Sequence, residues 1–454
     1  MSNFVIYLNN FCLIYLQIEN MIYIRKILLL ILLTFCLSLE YPDFEVIIND
    51  EPFSSDMFIS TKFSNNYFLA VIDPNLNIKW YITDISGKGL DFKVNKNVIT
   101  YFQKSLNNDF TDRWLAMNSN MMEIDTLYCE NGYTADWHDI YFLENGGYFL
   151  QAYSQEELDI SETIGIDIAN ILILQEFDAN KNLLFEWKNS DHMNIQDYST
   201  EFNLSAPRLN WMHGNSIEID YDNNVIVSNR AMSEIIKFNR YNGEIIWILG
   251  GPMNDFTFIN DVHMGPNLQH DARRLNNGNL LIFDNATDQS RPSRVIEYEI
   301  DENLLTANLV WEFSHPEEFK SLNQGSSQRL ENGNTLISWG TVINSDPNIN
   351  SNTLGAIITE VDQNKEIKLE IRYPIQNNSY KVRKEDWEFS VNLIIGDINL
   401  DSIVNILDLI SSINLILEIE NYEPFHLFKT DINRDGDIDI LDIVNLVNII
   451  LQQT

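Results

Sequence analysis

The sequence predicts an all-β body, a β-propeller of six blades, followed by a small all-α domain at the C-terminal end. Three observations predict it. Between residues 41 and 393, short β-rich runs are separated by Asn, Asp and Gly turns, with few amphipathic helical stretches. Two phrases recur along that stretch, spaced as the units of a repeat architecture are spaced. The segment 396–454 writes one acidic loop-plus-helix unit twice.

At the N-terminus, Arg25 and Lys26 precede an apolar run from Ile27 to Leu37. A basic start followed by a short apolar stretch is the layout of a secretory signal, and the run is short for a membrane span. Residues 1–40 are assigned to that signal region, with Met21 where such a signal begins. The alternative is an uncleaved anchor. Of the three cysteines, Cys12, Cys36 and Cys129, only the last would remain after cleavage. That leaves no intrachain disulfide and predicts a buried, inert thiol at Cys129. The formal net charge of -37 repels nucleic-acid phosphates and anionic membranes, and no basic cluster offsets it. No nucleic acid is expected as partner, and no membrane after signal removal. The expected location is secreted, periplasmic or on the cell surface. With 45% hydrophobic and 12% aromatic residues, the body has ample material for a core.

The body, 41–393, repeats itself. His138-Asp139 is followed by a run from Leu143 through Asn145-Gly146 to Leu150, and His270-Asp271 by one from Leu275 through Asn277-Gly278 to Ile282. A third copy, Leu330 through Asn332-Gly333 to Ile337, lacks the His-Asp pair. Each reads as two strands joined by an Asn-Gly turn. Alternating with them are strand–turn–strand runs that end in Trp80, Trp187, Trp247 and Trp311. About 350 residues of such four-stranded units make six blades, with seven as the alternative. In a propeller, residues recurring at one place in each blade gather around the axis.

In the C-terminal domain, Asp397, Asn399, Asp401, Asn405 and Asp408 match Asp431, Asn433, Asp435, Asp439 and Asp442. Oxygen side chains at loop positions 1, 3, 5, 9 and 12 suit a Ca²⁺ ion, with Ile403 and Asp437 supplying the backbone carbonyl of position 7. Gly436 makes the sharp turn of the second loop. Ser402 replaces it in the first, which predicts a weaker site. Apolar residues at helical spacing follow each loop: Ile406, Leu409, Ile410, Ile413 and Leu417, then Ile440, Ile443, Val444, Val447 and Leu451. A module this small has little core, so metal binding would be part of its folding free energy. The duplicated unit resembles a type I dockerin, which implies a cohesin-domain partner bound through the helix faces.

Of seven histidines, three stand in comparable positions at the start of a blade's inner hairpin: His138, His213 and His270. His192, His263, His315 and His426 lack that context and read as surface or loop residues. Converging imidazoles beside Arg230 favour an anion, since a guanidinium repels a metal ion. The alternative, zinc or another transition metal on the three histidines, has that guanidinium against it. Asp139 and Asp271 either orient imidazoles or cap turns, the turn role being preferred, and Arg273, Arg291 and Arg294 either widen the positive patch or pair with surface carboxylates.

Several ordered phrases resemble the aryl-sulfate sulfotransferase family. They are Asp136-Trp-His138-Asp139, Phe185-Glu-Trp187, His213-Gly-Asn215-Ser216-Ile217, Val227-Ser-Asn-Arg230, Gly243-Glu-Ile-Ile-Trp247, Gln269-His270-Asp271-Ala272-Arg273, Phe283-Asp284-Asn285 and Arg291-Pro-Ser293-Arg294. The resemblance implies a propeller that moves a sulfuryl group from an aryl sulfate donor to a phenolic acceptor, with no nucleotide donor and no cofactor for the transfer. It implies that His270 is the transiently sulfated nucleophile, and that His138, His213, Asn215 and Arg230 line the sulfate site. Rival readings are a non-catalytic ligand-binding scaffold docked through its C-terminal module, and a histidine-ligated metalloprotein.

Overall fold

In the computed structural model, the residues described are 41–63, 66–84, 90–105, 111–161, 165–202, 208–344, 351–390, 394–399, 401, 403–417, 429–433 and 438–452. The signal region 1–40, Ser402, His426, Asp435, Gly436 and Asp437 lie outside them. The chain divides into a unit at 42–393 and a second that contains 394–454.

The first unit is six antiparallel sheets, each of four strands or a four-stranded sheet with one added edge strand. From the inside outward, the first blade is β26 (Asn377–Glu385), β2 (Asp56–Phe63), β3 (Asn66–Ile72) and β4 (Ile78–Asp84). The second is β5 (Leu90–Asn95), β6 (Val98–Gln103), β7 (Arg113–Met117) and β8 (Glu123–Leu127). The third is β9 (Ala135–Phe142), β10 (Tyr148–Ser161), β11 (Gly165–Phe177) and β12 (Leu183–Lys188). The fourth is β13 (Gly214–Ile219), β14 (Val225–Asn229), β15 (Glu234–Phe238) and β16 (Ile245–Leu249). The fifth comprises β18 (His270–Arg274), β19 (Leu280–Asp284), β20 (Arg294–Asp301) and β21 (Thr306–Phe313), with β17 (Thr257–Ile259) parallel to β21 at its rim. The sixth comprises β22 (Ser326–Arg329), β23 (Thr335–Ser338), β24 (Ile357–Val361) and β25 (Ile367–Arg372), edged by β1 (Glu45–Asn49). The innermost strands β26, β5, β9, β13, β18 and β22 touch in that order and return to β26, so the sheets form a closed ring. This is the six-blade propeller that the repeats predict.

The predicted turns are present. Gly146, Gly278 and Gly333 have φ of 83°, 91° and 87°, a left-handed backbone that glycine adopts without a Cβ clash. The Trp-ending runs are outermost strands, and Trp80, Trp187 and Trp247 are buried. Trp187 of the third blade stacks on Phe238 of the fourth with ring centroids 4.5 Å apart, and the core around it joins these two blades. Large flat rings fill the wedge between neighbouring twisted sheets and hold the blades together.

The second unit contains two helices after its loops, Ile406–Ile416 and Ile440–Gln452, packed on a small core of Ile398, Val404, Ile432 and Leu446. Much of the predicted apolar stripe is left uncovered in this unit: Ile406, Ile410, Leu417, Ile440 and Leu451 are all exposed.

Candidate active site

Three adjacent blades deliver the three histidines. His138 lies within β9, His270 opens β18, and His213 immediately precedes β13. Inner strands stand side by side around the axis, so residues distant in sequence meet there. The Nε2 atoms of His138 and His213 are 3.1 Å apart. The rings of His213 and His270 are edge to face with centroids 6.5 Å apart. Tyr380, from β26 on the far side of the ring, is 5.9 Å from the His138 ring and 6.4 Å from that of His270. Trp137 stacks on His138 at 3.8 Å.

Arg230 follows β14, and its backbone N–H donates to the His213 carbonyl at 2.9 Å. Its Nη2 donates to the Leu322 carbonyl at 3.0 Å, while its Nε is buried without a partner. Among the described residues no carboxylate pairs with it. Burial draws its pKa below the usual guanidinium value, outweighing the charge of Asp288, which pulls it up. The other arginines named in the motif phrases, and Arg383, are neutralised. Arg273 bonds Asp139 and Asp271 at 2.8 and 2.9 Å, Arg383 holds Asp271 at 2.6 and 2.7 Å, and Arg291 and Arg294 bond Asp284 at 2.6 and 2.9 Å. Arg230 is thus a cation with an unspent donor and, among the described residues, no ion-paired carboxylate, which suits it to an anion.

Each predicted residue has a definite set of contacts. His138 Nδ1 is 2.5 Å from Asp136 Oδ1, which also accepts from Gln151 Nε2 at 2.6 Å. Burial pushes the Asp136 carboxyl up, but the charge and hydrogen bonds of His138 outweigh it and hold it below the usual carboxylate range. His270 is buried, with Nδ1 2.7 Å from Asn285 Oδ1. Burial, with the charges of Arg230 and the two neighbouring imidazoles, holds its pKa well below the usual histidine value. Burial, then the charges of His138 and Arg230, brings His213 down to about 3. Asn215 is fully buried, and its side chain brackets His270. Its Nδ2 donates to the Gln269 carbonyl at 2.8 Å and its Oδ1 accepts from the Asp271 N–H at 3.2 Å.

Asp139 and Asp271 are not turn caps. Asp139 accepts from Lys93 and Arg273, Asp271 from Arg383 and Arg273, in a buried charge layer drawn from four blades. His315 does lie in a loop, after β21, but not on the surface: it is buried with Nε2 2.8 Å from Glu370 Oε2. Cys129 is half-buried, and burial pushes its thiol pKa up, in keeping with an inert thiol. Asp136, Asn285 and Tyr380 are site residues that had no role in the sequence reading. Asp136 and Asn285 stand inside motif phrases, whereas nothing local marks Tyr380.

In the first acidic loop, ligand atoms of Asp397, Asp401 and Asp408 all lie within 4.8 Å of one another. Three like charges so close favour a cation between them, and hard oxygen donors suit Ca²⁺. Asp408 accepts from the N–H groups of Ile398, Asn399 and Asn405 at 2.7, 3.0 and 2.8 Å. Asp442 repeats this with Ile432, Asn433 and Asp439 at 2.7, 3.2 and 2.9 Å. The side chain of Asn405 caps the following helix through Leu407 N at 2.7 Å. Ile403 is exposed beside it. The residues present fit the ion.

Both parts of the chain match known families. The type I dockerin domain profile matches residues 395–451, and domains of that kind generally bind calcium. No curated protein matches the chain. Among solved structures, a protein of unknown function from Bacteroides caccae is 11% identical, covering 73% of this chain and 98% of its own, with a TM-score of 0.46. Virginiamycin B lyase from Staphylococcus aureus is 10% identical, covering 74% and 89%, with a TM-score of 0.36. Likenesses of that size carry no argument about activity. The arylsulfotransferase (ASST) profile matches residues 44–382, well over half of the chain and nearly all of the propeller, and the chain therefore belongs to the arylsulfotransferase family.

Proposed function

We propose that the propeller moves a sulfuryl group from an aryl sulfate ester to a phenolic acceptor through a sulfated His270. The observation that carries this is Arg230, a largely buried guanidinium that forms no ion pair with a carboxylate among the described residues and whose charge reaches both His213 and His270. It is suited to bind the tetrahedral anion and to stabilise charge on its non-bridging oxygens as the sulfuryl group moves, by the logic of phosphoryl transfer. His270, held neutral, has a lone pair for attack at sulfur. The N–S bond forms as the S–O bond to the aryl group breaks, and the phenolate oxygen leaves with the electron pair.

That oxygen needs a proton. His213 stays neutral far below physiological pH, so the task falls to His138, whose Nδ1 faces Asp136 as a histidine–carboxylate pair. In the second half-reaction an acceptor phenol returns its proton to His138 and takes the sulfuryl group. Asn215 serves by clamping the backbone on both sides of His270.

The domain limits 41–393 and 396–454, export behind the signal at 1–40, calcium in both acidic loops and docking to a cohesin domain through the exposed helix faces complete the proposal. Incubating wild type and His270→Ala with a chromogenic phenyl sulfate tests its centre. Sulfate on His270 by mass spectrometry, and phenol release that rises with added acceptor, are expected. No release under either condition, or undiminished release by His270→Ala, sinks it.

A further inference from the structure

Two imidazoles of one pocket present the same ring nitrogen to different partners. His138 Nδ1 meets a carboxylate oxygen of Asp136 at 2.5 Å, and His270 Nδ1 meets the amide oxygen of Asn285 at 2.7 Å. An oxygen of either kind accepts, so each ring carries hydrogen on Nδ1. For Asn285 this depends on which end of the amide faces the ring, and its other neighbours decide that. Asn285 Nδ2 donates to the Gln324 carbonyl at 2.9 Å and to Ser321 Oγ at 3.1 Å. A carbonyl only accepts, so the nitrogen end is fixed there and the oxygen end faces His270. The side chain is fully buried, so no water competes for either end.

We propose that Asn285 is a positioning residue that holds His270 as its Nδ1–H tautomer, leaving Nε2 as the atom that receives the sulfuryl group. This rests on the reading of His270 as nucleophile. In the step, the Nε2 lone pair forms the N–S bond, the S–O(aryl) pair departs on the phenolate oxygen, and that oxygen takes its proton from His138. The ring gains positive charge while Nδ1–H remains donated to Asn285, so this hydrogen bond strengthens as sulfur is transferred. A neutral acceptor is the point of the arrangement. A carboxylate in its place would favour the imidazolium, which has no lone pair to attack with. The pocket therefore separates two tasks by one functional group. Asp136 faces His138 with a full negative charge, whereas Asn285 orients His270 with a neutral amide whose pull toward a second proton is outweighed by burial.

The test uses the full chain with ¹⁵N-labelled histidine, His270 being assigned by comparison with His270→Ala. A protonated Nδ1 and a bare Nε2 are expected for His270 in the resting wild type; the reverse pattern overturns the inference. Asn285→Asp keeps the shape and adds charge. It is expected to move the acid limb of the pH profile for the first burst of phenol upward by about one pH unit or more. Asn285→Ala is expected to slow the burst by about 10–100-fold with little change in donor KM. An unmoved acid limb in the first variant together with an unslowed burst in the second also overturns it. If wild type never acquires sulfate on His270, the proposed function fails instead, and the nitrogen spectrum still decides which atom is bare.

Discussion

A guanidinium taken out of water without an ion-paired carboxylate destabilises the fold that holds it, and among the described residues Arg230 has none. Arg230→Gln is therefore expected to raise the melting temperature by about 2 °C or more while lowering kcat/KM for an aryl sulfate ~10²–10³-fold. A thermal scan beside the donor assay checks both signs. Arg230→Lys is not expected to restore activity, because an ammonium cannot offer a planar fork of donors. Glu234 gives a pH prediction. Burial raises its pKa to about 8, against an ordinary carboxyl in the unfolded chain. Burial likewise raises Glu218 and Glu385 to about 7. Between pH 6.5 and 8 the unfolded chain has already lost these protons and the native state still holds some. Stability should then fall as pH rises, by at most about 1.4 kcal/mol per unit for each group. Glu234→Gln should flatten that decline in melts at fixed salt, and an unchanged slope would count against a protonated Glu234. His138, His213, Arg230 and His270 were legible because each stands in a phrase that recurs or is chemically unusual. The charge layer beneath them was not. Lys93, Asp139, Arg273 and Arg383 come from four blades, and no local pattern says which carboxylate meets which cation.

Strands ending in tryptophan were the clearest elements in the sequence, and the structure gives their reason. Trp187 is fully buried, stacks on the next blade and donates its Nε1–H to the Gly243 carbonyl at 3.0 Å. Trp187→Ala should cost about 3–5 kcal/mol, read from the denaturant midpoint, since it opens a void between two sheets. The length of β10 and β11 was less legible. Their pairing continues from Tyr153↔Leu172 to Ser161↔Gly165, past the last residue matched by β9. Polar Gln155, Glu156 and Glu157 in that stretch hide the alternation that marks a half-buried strand. The acidic loops were legible through register alone, because a metal site demands oxygen at fixed intervals. Removing calcium with a chelator is expected to abolish the helical signal of residues 406–416 and 440–452 and leave near-ultraviolet bands of the buried propeller tryptophans unchanged. Circular dichroism of the intact chain reads both at once.

At the scale of the molecule, blade number was readable from repeat spacing, whereas the closure was not. The propeller closes by pairing β26 with β2, Asp56 opposite Glu385 and Phe63 opposite Asn377. β26 also carries Tyr380, Lys381 and Arg383 into the centre. No sequence pattern announces so distant a partner, because each of these strands looks like any other half-buried run. A chain ended before Asn377 should lack a cooperative melting transition altogether, seen by calorimetry. The same pairing sets a timetable for biosynthesis. The strand β2 can pair with β3 as soon as both are made, but its inner neighbour β26 arrives only when nearly the whole propeller has been synthesised. Contacts of such sequence separation form slowly. Single blades built from consecutive strands can therefore form early, whereas the circle itself stays broken until the final strand has been made.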